Sequence, residues 1–459
     1  MSAPTFRPPS FWFAEMDEAV VPRAPLDGEQ RVDVAIVGAG YTGLWAAYYL
    51  IQREPGCRVA IVESEVAGFG ASGRNGGWCS SSFPGIEHWL GRPATRERAI
   101  ALQRAMFDTV EEVGRASKAA GIECDYARGG MLIVATGAPQ LERLREELDG
   151  SAALGLPEVD TRWLDAAGTA EYARISGAIG GIYSPHCAAI QPAKLARGLA
   201  SFLEKQGVAI YERSPVRSIA EGEVTTDRGR LRASSILRCT ESYTSQIRGL
   251  GRASIPLHSM MVATEPLPDA IWKEIGLNGR ETFADNRRTV TYGQRTADGR
   301  LAFGARGLYY YGSAIRYYFD SDDPFFDRVH RILLEFFPAL SGVEITHRWG
   351  GSNAVPRDRL PSVRFDPATG LGSAGGYSGN GVAVANLAGR TLADLVTGRQ
   401  TELTSFPWVN HQSPLWEPEP LRWIGAQSVT MLADSSDRAE KRGRSAGLRG
   451  SIVDRLSPH

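Results

Sequence analysis

The sequence lacks a bias toward either charge. Its 459 residues hold 51 Lys or Arg against 52 Asp or Glu, a formal net charge of −1. That balance excludes a basic nucleic-acid binder and a highly charged disordered chain. Long apolar runs are also missing: nothing reaches the ~18 consecutive apolar residues of a membrane span. The opening MSAPTFRPPSFWFAEMDE interrupts any signal-peptide core with prolines and acids. Cysteine is scarce, at five (Cys57, Cys79, Cys124, Cys187 and Cys239) with no CxxC pair, and the seven histidines include no pair at metal-ligand spacing. A disulfide framework and a metal site are therefore not expected, and reduced thiols fit a cytoplasmic protein. Lysine is as scarce as cysteine, with only Lys118, Lys194, Lys205, Lys273 and Lys441, so the basic residues are mostly arginine. What remains, 43% hydrophobic and 22% charged residues, is ordinary globular composition. The length suits two or three domains.

Hydrophobic patterning orders the chain. RVDVAIV (31–37) is a β-branched run ending in glycine, which predicts a buried parallel strand. The spacing then predicts a helix over 41–53, ended by Pro55 and Gly56, and a strand over 58–62 that stops at Glu63. Together these make a βαβ unit. Helices are expected over 93–120, 139–154 and 192–205, with strands at 129–136, 208–211, 216–219 and 235–240. Between 257 and 312 the pattern turns antiparallel, since strand runs 289–294 and 300–304 flank the turn Ala297-Asp298-Gly299. Residues 371–397 give strand, glycine-rich turn and helix. The last 26 residues, from Asp434, carry six Arg or Lys, four acids and few apolar groups, and suggest a mobile, solvated tail or a loosely docked helix.

Gly38-Ala39-Gly40-Tyr41-Thr42-Gly43 is a GxGxxG between a predicted strand and a predicted helix, the context that gives this pattern meaning. Gly38 permits a tight turn, Gly40 lets the backbone approach a pyrophosphate, and Gly43 lets helix and strand pack closely. The helix N-terminus faces the negative charge. Glu63, 20 residues after Gly43, is placed to accept from both ribose hydroxyls. NAD and FAD share this fingerprint. The second glycine-rich loop, Gly68-Phe69-Gly70-Ala71-Ser72-Gly73-Arg74-Asn75-Gly76-Gly77-Trp78, favours FAD, because a flavin needs close backbone approach to both pyrophosphate and ring.

Taken together, DVAIVGAGYTGL (33–44), GFGASGRNGG (68–77), WGG (349–351) and GGYSGNGV (375–382) resemble the FAD-dependent amine and amino acid oxidoreductases. That family includes D-amino acid oxidase, glycine oxidase and sarcosine oxidase, and the motifs look most like its gamma-glutamylputrescine oxidase branch. The resemblance runs from about Phe11 to Leu403. It implies an α/β fold, α+β overall, in which a Rossmann-type FAD-binding domain carries a discontinuous substrate domain built on an antiparallel sheet. Residues 1–90, 176–250 and 345–403 are expected in the first, 91–175 and 251–344 in the second, with 404–459 as a C-terminal extension.

By the same resemblance, FAD is held non-covalently by Gly38, Gly40, Tyr41, Thr42, Gly43, Glu63, Ser64, Gly70, Ala71, Ser72, Arg74, Asn75, Gly76, Gly77, Val216, Thr240, Gly376, Gly379, Asn380, Gly381 and Val382. Glu63 takes the ribose, Ser72 and Arg74 lie near the pyrophosphate, and Gly379 to Val382 lie under the pyrimidine end of the flavin. A helix starting near Gly381 would aim its positive end at charge collecting on reduced flavin. Cys79 is expected to be a buried, inert thiol.

The implied reaction is hydride transfer from the carbon beside a neutral amine to flavin N5, giving an imine that water hydrolyses. O2 is the expected acceptor, and the partner is a small amine or amino acid. Candidate residues at the reacting end are His258, Met260, Arg306, Tyr309, Asn353 and Tyr377. Asn353 stands where glycine oxidase-like relatives carry a carboxylate-binding arginine, and an amide cannot make that bidentate contact. Arg306 is the alternative cation, or else a salt-bridged residue at a strand end. The lysine that sarcosine oxidase uses beside its flavin has no counterpart, since no lysine occurs between 274 and 440. A flavin dehydrogenase feeding a partner or quinone, a flavin monooxygenase and a non-catalytic flavoprotein are the competing readings. Arg238 and Glu241 are unexpected charges in a buried strand and are expected to pair with each other or with the cofactor.

Overall fold

The computed structural model describes residues 6–153, 155 and 159–456. Two eight-stranded sheets organise it. In the first, Gly28–Val37 lies between Gly229–Arg238 and Val59–Val62, parallel to both, and Ala209–Tyr211 extends the edge in the same direction. Leu371–Gly375 continues the other side in parallel and Ser362–Asp366 closes it antiparallel. Strands whose ends read VAIV are buried on both faces, and helices cover them as a parallel sheet requires. Helix Tyr41–Arg53 packs on Gly381–Val396, and Pro192–Lys205 joins the same core. A Cβ at Gly43 would come within 2.1 Å of the Gly38 carbonyl oxygen, so the helix can sit this close only with glycine there. Prolines at the first turns of Pro93–Ala119 and Pro192–Lys205 start both helices where the missing N–H costs nothing.

The second sheet runs Ile345–Val355, Ile255–Thr264, Leu301–Tyr309, Thr291–Arg295, Thr282–Asp285, Met131–Ala135, Gly180–Ser184 and Arg162–Asp165. All neighbours are antiparallel except Thr282–Asp285 with Met131–Ala135. Its outer core gathers Phe283, Phe303, Phe336 and Phe337. The α/β architecture is the one the motifs implied, but three segments fall on the other side of the expected boundaries. Gly180–Ser184 and Ile345–Val355 belong to the second sheet, and the apolar face of Pro93–Ala119 packs in the core of the first. Neither strand's composition tells which sheet it joins, so the boundary leaves no trace in the sequence.

Of the two forms expected for the C-terminal segment, the structure shows docked helix and not solvated tail, as Leu421–Lys441 and Gly447–Leu456. Asp434, Asp437 and Glu440, three residues apart, share one helix face. That face meets the second sheet: Arg328 pairs with Asp434, Arg143 and Arg288 with Glu440, and Arg288 with Asp454, while Asp437 accepts the N–H groups of Arg288 and Thr289 at 2.8 Å. The acids of the segment are its docking surface.

Candidate active site

A cavity of about 1640 Å³ opens between the sheets, larger than the ~300–1,000 Å³ of ordinary small-molecule pockets. One end is built by the first sheet. Gly38, Gly40, Tyr41 and Thr42 line it where Tyr41–Arg53 begins, and Glu63 and Ser64 line it just after Val59–Val62. Glu63 accepts from the Ala39 N–H at 2.8 Å, the Glu65 N–H at 3.0 Å and the Ser64 hydroxyl at 3.1 Å, while burial pushes its carboxyl up. Val216 and Thr240 close this end, with the Thr240 hydroxyl on that of Thr244 at 2.8 Å.

The loop 68–77 forms the middle wall through Gly70, Ala71, Ser72, Arg74, Asn75 and Gly76. Ser72 Oγ accepts the Tyr41 N–H at 2.9 Å and would meet a Cβ at Gly40 at 3.0 Å, so the two glycine-rich segments fit each other. Arg74 spends its donors on backbone carbonyls, Phe69 at 2.7 Å, Gly350 at 3.2 Å and Tyr317, and its Nη2 is left buried without a partner. Gly77 faces Gln294 instead of the cavity: a Cβ there would stand 1.9 Å from Gln294 Nε2. Gln294 in turn donates to the Gly76 and Ile190 carbonyls at 2.8 and 3.1 Å. Gly43 and Gly376 likewise lie behind the wall, against the Gly38 carbonyl and Pro356.

From Thr42 toward the far end, Tyr377, Gly379, Asn380, Gly381 and Val382 line the cavity at the start of Gly381–Val396. The Tyr377 hydroxyl bonds to that of Thr42 at 2.8 Å, and burial holds its pKa well above the usual value. Arg306 and Asn353 reach the same space from the second sheet. Arg306 forms no ion pair among the described residues, its Nε lacks a partner, and its Nη2 lies 1.9 Å from where a Cβ at Gly379 would stand. Burial pulls its pKa down, with Tyr292 the nearby group that favours the charge. Asn353 Oδ1 is also buried and unpartnered.

Three candidates at the reacting end do not line the cavity. His258 and Met260 point to the opposite face of Ile255–Thr264, and Ser259 between them lines it instead, because neighbouring residues in a strand alternate faces. His258 Nε2 accepts the Arg316 N–H at 3.2 Å, its ring packs against Tyr310 and Phe319, and burial pulls its pKa down to about 4. Met260 sits in the phenylalanine-rich core. Tyr309 donates to Glu419 at 2.7 Å behind the sheet. Residues not foreseen here are Ser259, Tyr292 and Arg359, which all line the cavity. Strand alternation from Arg306 was the signal for Tyr292: the pairing Tyr292 with Gly304 sets it on the face shared by Arg306 two residues on.

Arg238 and Glu241 do not pair directly. Arg238 donates to Thr244 at 2.8 Å. Glu241 accepts the N–H groups of Gly376, Ala354 and Tyr377 at 2.9, 3.1 and 3.4 Å, and burial pushes it up to about 7.

A glycine-lined helix start, a carboxylate after the second strand and orphaned polar atoms at the far end together suit a long, anionic, ring-bearing group such as FAD. The family model described as DAO, FAD dependent oxidoreductase, matches residues 33–395. The chain belongs to this family. Gamma-glutamylputrescine oxidoreductase of Escherichia coli is 30% identical over 412 residues, covering 88% of this chain and 92% of that protein. The probable oxidoreductase OrdL of Rhizobium meliloti is 31% identical over 410 residues, covering 84% of this chain and 89% of that protein. Among solved structures, glycine oxidase from Geobacillus kaustophilus superposes with a TM-score of 0.65 at 23% identity, covering 83% of this chain and 99% of that one. FAD is accordingly the cofactor of this DAO-family chain, and no helix among the described residues is long and apolar enough to cross a membrane.

Proposed function

We propose that the protein oxidises the C–N bond of an amine that also carries an anionic group, an amino acid or N-substituted amino acid, with O2 as acceptor and H2O2 as product. The carrying observation is Arg306, a half-buried cation lining the cavity whose Nε is buried without a partner and which has no acid beside it among the described residues. A cation whose inner nitrogen is buried without a counter-charge is costly unless a ligand supplies one. Bound FAD supplies the hydride acceptor, and the substrate becomes an imine that water hydrolyses to a carbonyl compound. The chain's part is binding and placement. Gly40, Ser72 and the helix start at Tyr41 hold the pyrophosphate, Glu63 the ribose, and the loop 68–77 the ring, without a covalent bond. Burial keeps Cys79 a neutral thiol well above its ordinary pKa, consistent with that. Arg306 grips the carboxylate, Asn353 offers its amide beside it, and Tyr292 and Ser259 wall the site against bulk water.

A second reading has its own support. Arg306 abuts the turn at Gly379, so its charge is also placed to face the pyrimidine end of the flavin, leaving a plain amine as substrate. Matched pairs, an arylalkylamine against the corresponding amino acid, decide between them by kcat/KM in wild type and Arg306→Ala. The amino acid reading expects a preference above about a hundredfold, nearly 3 kcal/mol, that Arg306→Ala abolishes. Equal rates in the wild type would overturn it. Peroxide formed per substrate consumed, against turnover with an artificial acceptor under nitrogen, tests the oxygen assignment.

A further inference from the structure

Apolar side chains left in solvent are not spread evenly over this molecule. Of the fourteen large hydrophobic residues exposed among the described residues, eight lie between Leu415 and Leu456, on or beside the two C-terminal helices. Single exposed residues are normal, but a concentration marks a contact. On Leu421–Lys441, Ile424, Met431 and Arg438 recur every seven residues and share the outward stripe. On Gly447–Leu456, Gly450 and Val453 face inward while Leu448, Ile452 and Leu456 face out, Leu448 with 78% of its surface exposed. Arg449 and Arg455 sit at the margins of that stripe.

Charge is sorted in the same way. All four acids of the two helices, Asp434, Asp437, Glu440 and Asp454, turn inward to Arg328, Arg288 and Arg143 or to backbone N–H groups. Arg438, Arg442, Arg444, Arg449 and Arg455 are exposed, and none forms an ion pair among the described residues. The outward face therefore combines apolar stripes with uncompensated positive charge.

We propose that this face docks on an anionic lipid surface, its leucines and isoleucines at the acyl boundary and its arginines at the phosphates. A second copy of the chain is the less suitable occupant, because a two-fold contact would set the same arginines against one another with the acids already turned inward. Attachment would be peripheral, since no described helix can span a bilayer.

Co-sedimentation of the FAD-loaded protein with vesicles tests this. Binding is expected to vesicles containing phosphatidylglycerol and not to phosphatidylcholine alone, and to weaken with added salt. Leu448→Ser with Ile452→Ser, and separately Arg449→Glu with Arg455→Glu, should each weaken it by about tenfold or more, with FAD content and turnover unchanged. Failure to sediment with anionic vesicles overturns the proposal. So does loss of binding in the arginine variant alone, which marks a purely electrostatic contact with an acidic macromolecule. A concentration-dependent dimer that Leu448→Ser with Ile452→Ser dissociates, without vesicle binding, assigns the face to a second copy and overturns it too.

Discussion

Single residues show where sequence and structure speak the same language. Glu63 was legible because its chemistry is set by distance along a βαβ unit, and it faces the cavity with oxygens already ordered by Ala39, Ser64 and Glu65. Glu63→Ala should weaken FAD binding by about 1.5–3 kcal/mol, the range for a hydrogen bond to a charged group; unchanged affinity in a fluorescence titration would reduce Glu63 to a structural acid. Gly40→Val should yield colourless protein, because its Cβ would already press on Ser72 Oγ at 3.0 Å and further carbons would fill the cradle. Glu241 was visible only as an oddity, since nothing along the chain tells that residues 354, 376 and 377 converge on it. Its pKa, pushed from 4.5 up to about 7 by burial, gives stability a pH dependence. Between those values the native state keeps a proton that the unfolded chain releases, so stability falls as pH rises through the window, by up to about 1.4 kcal/mol per unit. Glu241→Gln should remove that share of the slope when urea unfolding of the two proteins is compared across the window.

At the scale of elements, the parallel strands and their helices were readable because burial on both faces and helix-start prolines are local signals. The faces of the second sheet were not. His258 and Met260 were reasonable candidates by type, yet a strand displays alternate residues to each side, and only the pairing of Ser259 with Arg306 and Gly351 fixes which side is the cavity. The amino-terminal helix Phe11–Ala14 is another element whose role needed the fold. Ser10 Oγ donates to the Gly73 carbonyl at 2.6 Å and Trp12 Nε1 to the Asn75 carbonyl at 2.7 Å, so the helix braces the loop 68–77 from behind. Trp12 is 1% exposed. Trp12→Ala should cost about 3–5 kcal/mol of stability and loosen FAD, while Trp12→Phe, which keeps most of the ring packing, should cost nearer 1 kcal/mol for the lost hydrogen bond. Thermal unfolding and flavin release measured on both variants would separate bracing from packing: equal FAD affinity in Trp12→Ala and wild type denies the helix any part in the site.

Across the whole molecule, the cavity draws one wall from each sheet, and its unpaired groups are distributed over both. Arg306 and Asn353 come from the second sheet, Glu63 and the glycine turn from the first, and Arg74 stands on the first side while donating to Gly350 on the second. A ligand filling this space touches both halves at once, so its binding energy becomes stability of the assembled molecule and not of one sheet alone. Ligand that binds only the native state adds RT ln(1 + [L]/Kd), about 2.7 kcal/mol at a hundred times Kd. FAD-loaded protein should therefore unfold in one transition at higher temperature than the stripped protein, with the two halves melting together. Stripping FAD should lower that transition or split it, because the cavity then loses the ligand that joins its two walls. Gly40→Val should behave as stripped protein whether or not FAD is added. If scanning calorimetry showed loaded and stripped wild type melting at the same temperature with the same cooperativity, FAD would not be bridging the sheets, and the cavity would have to hold it against one wall only.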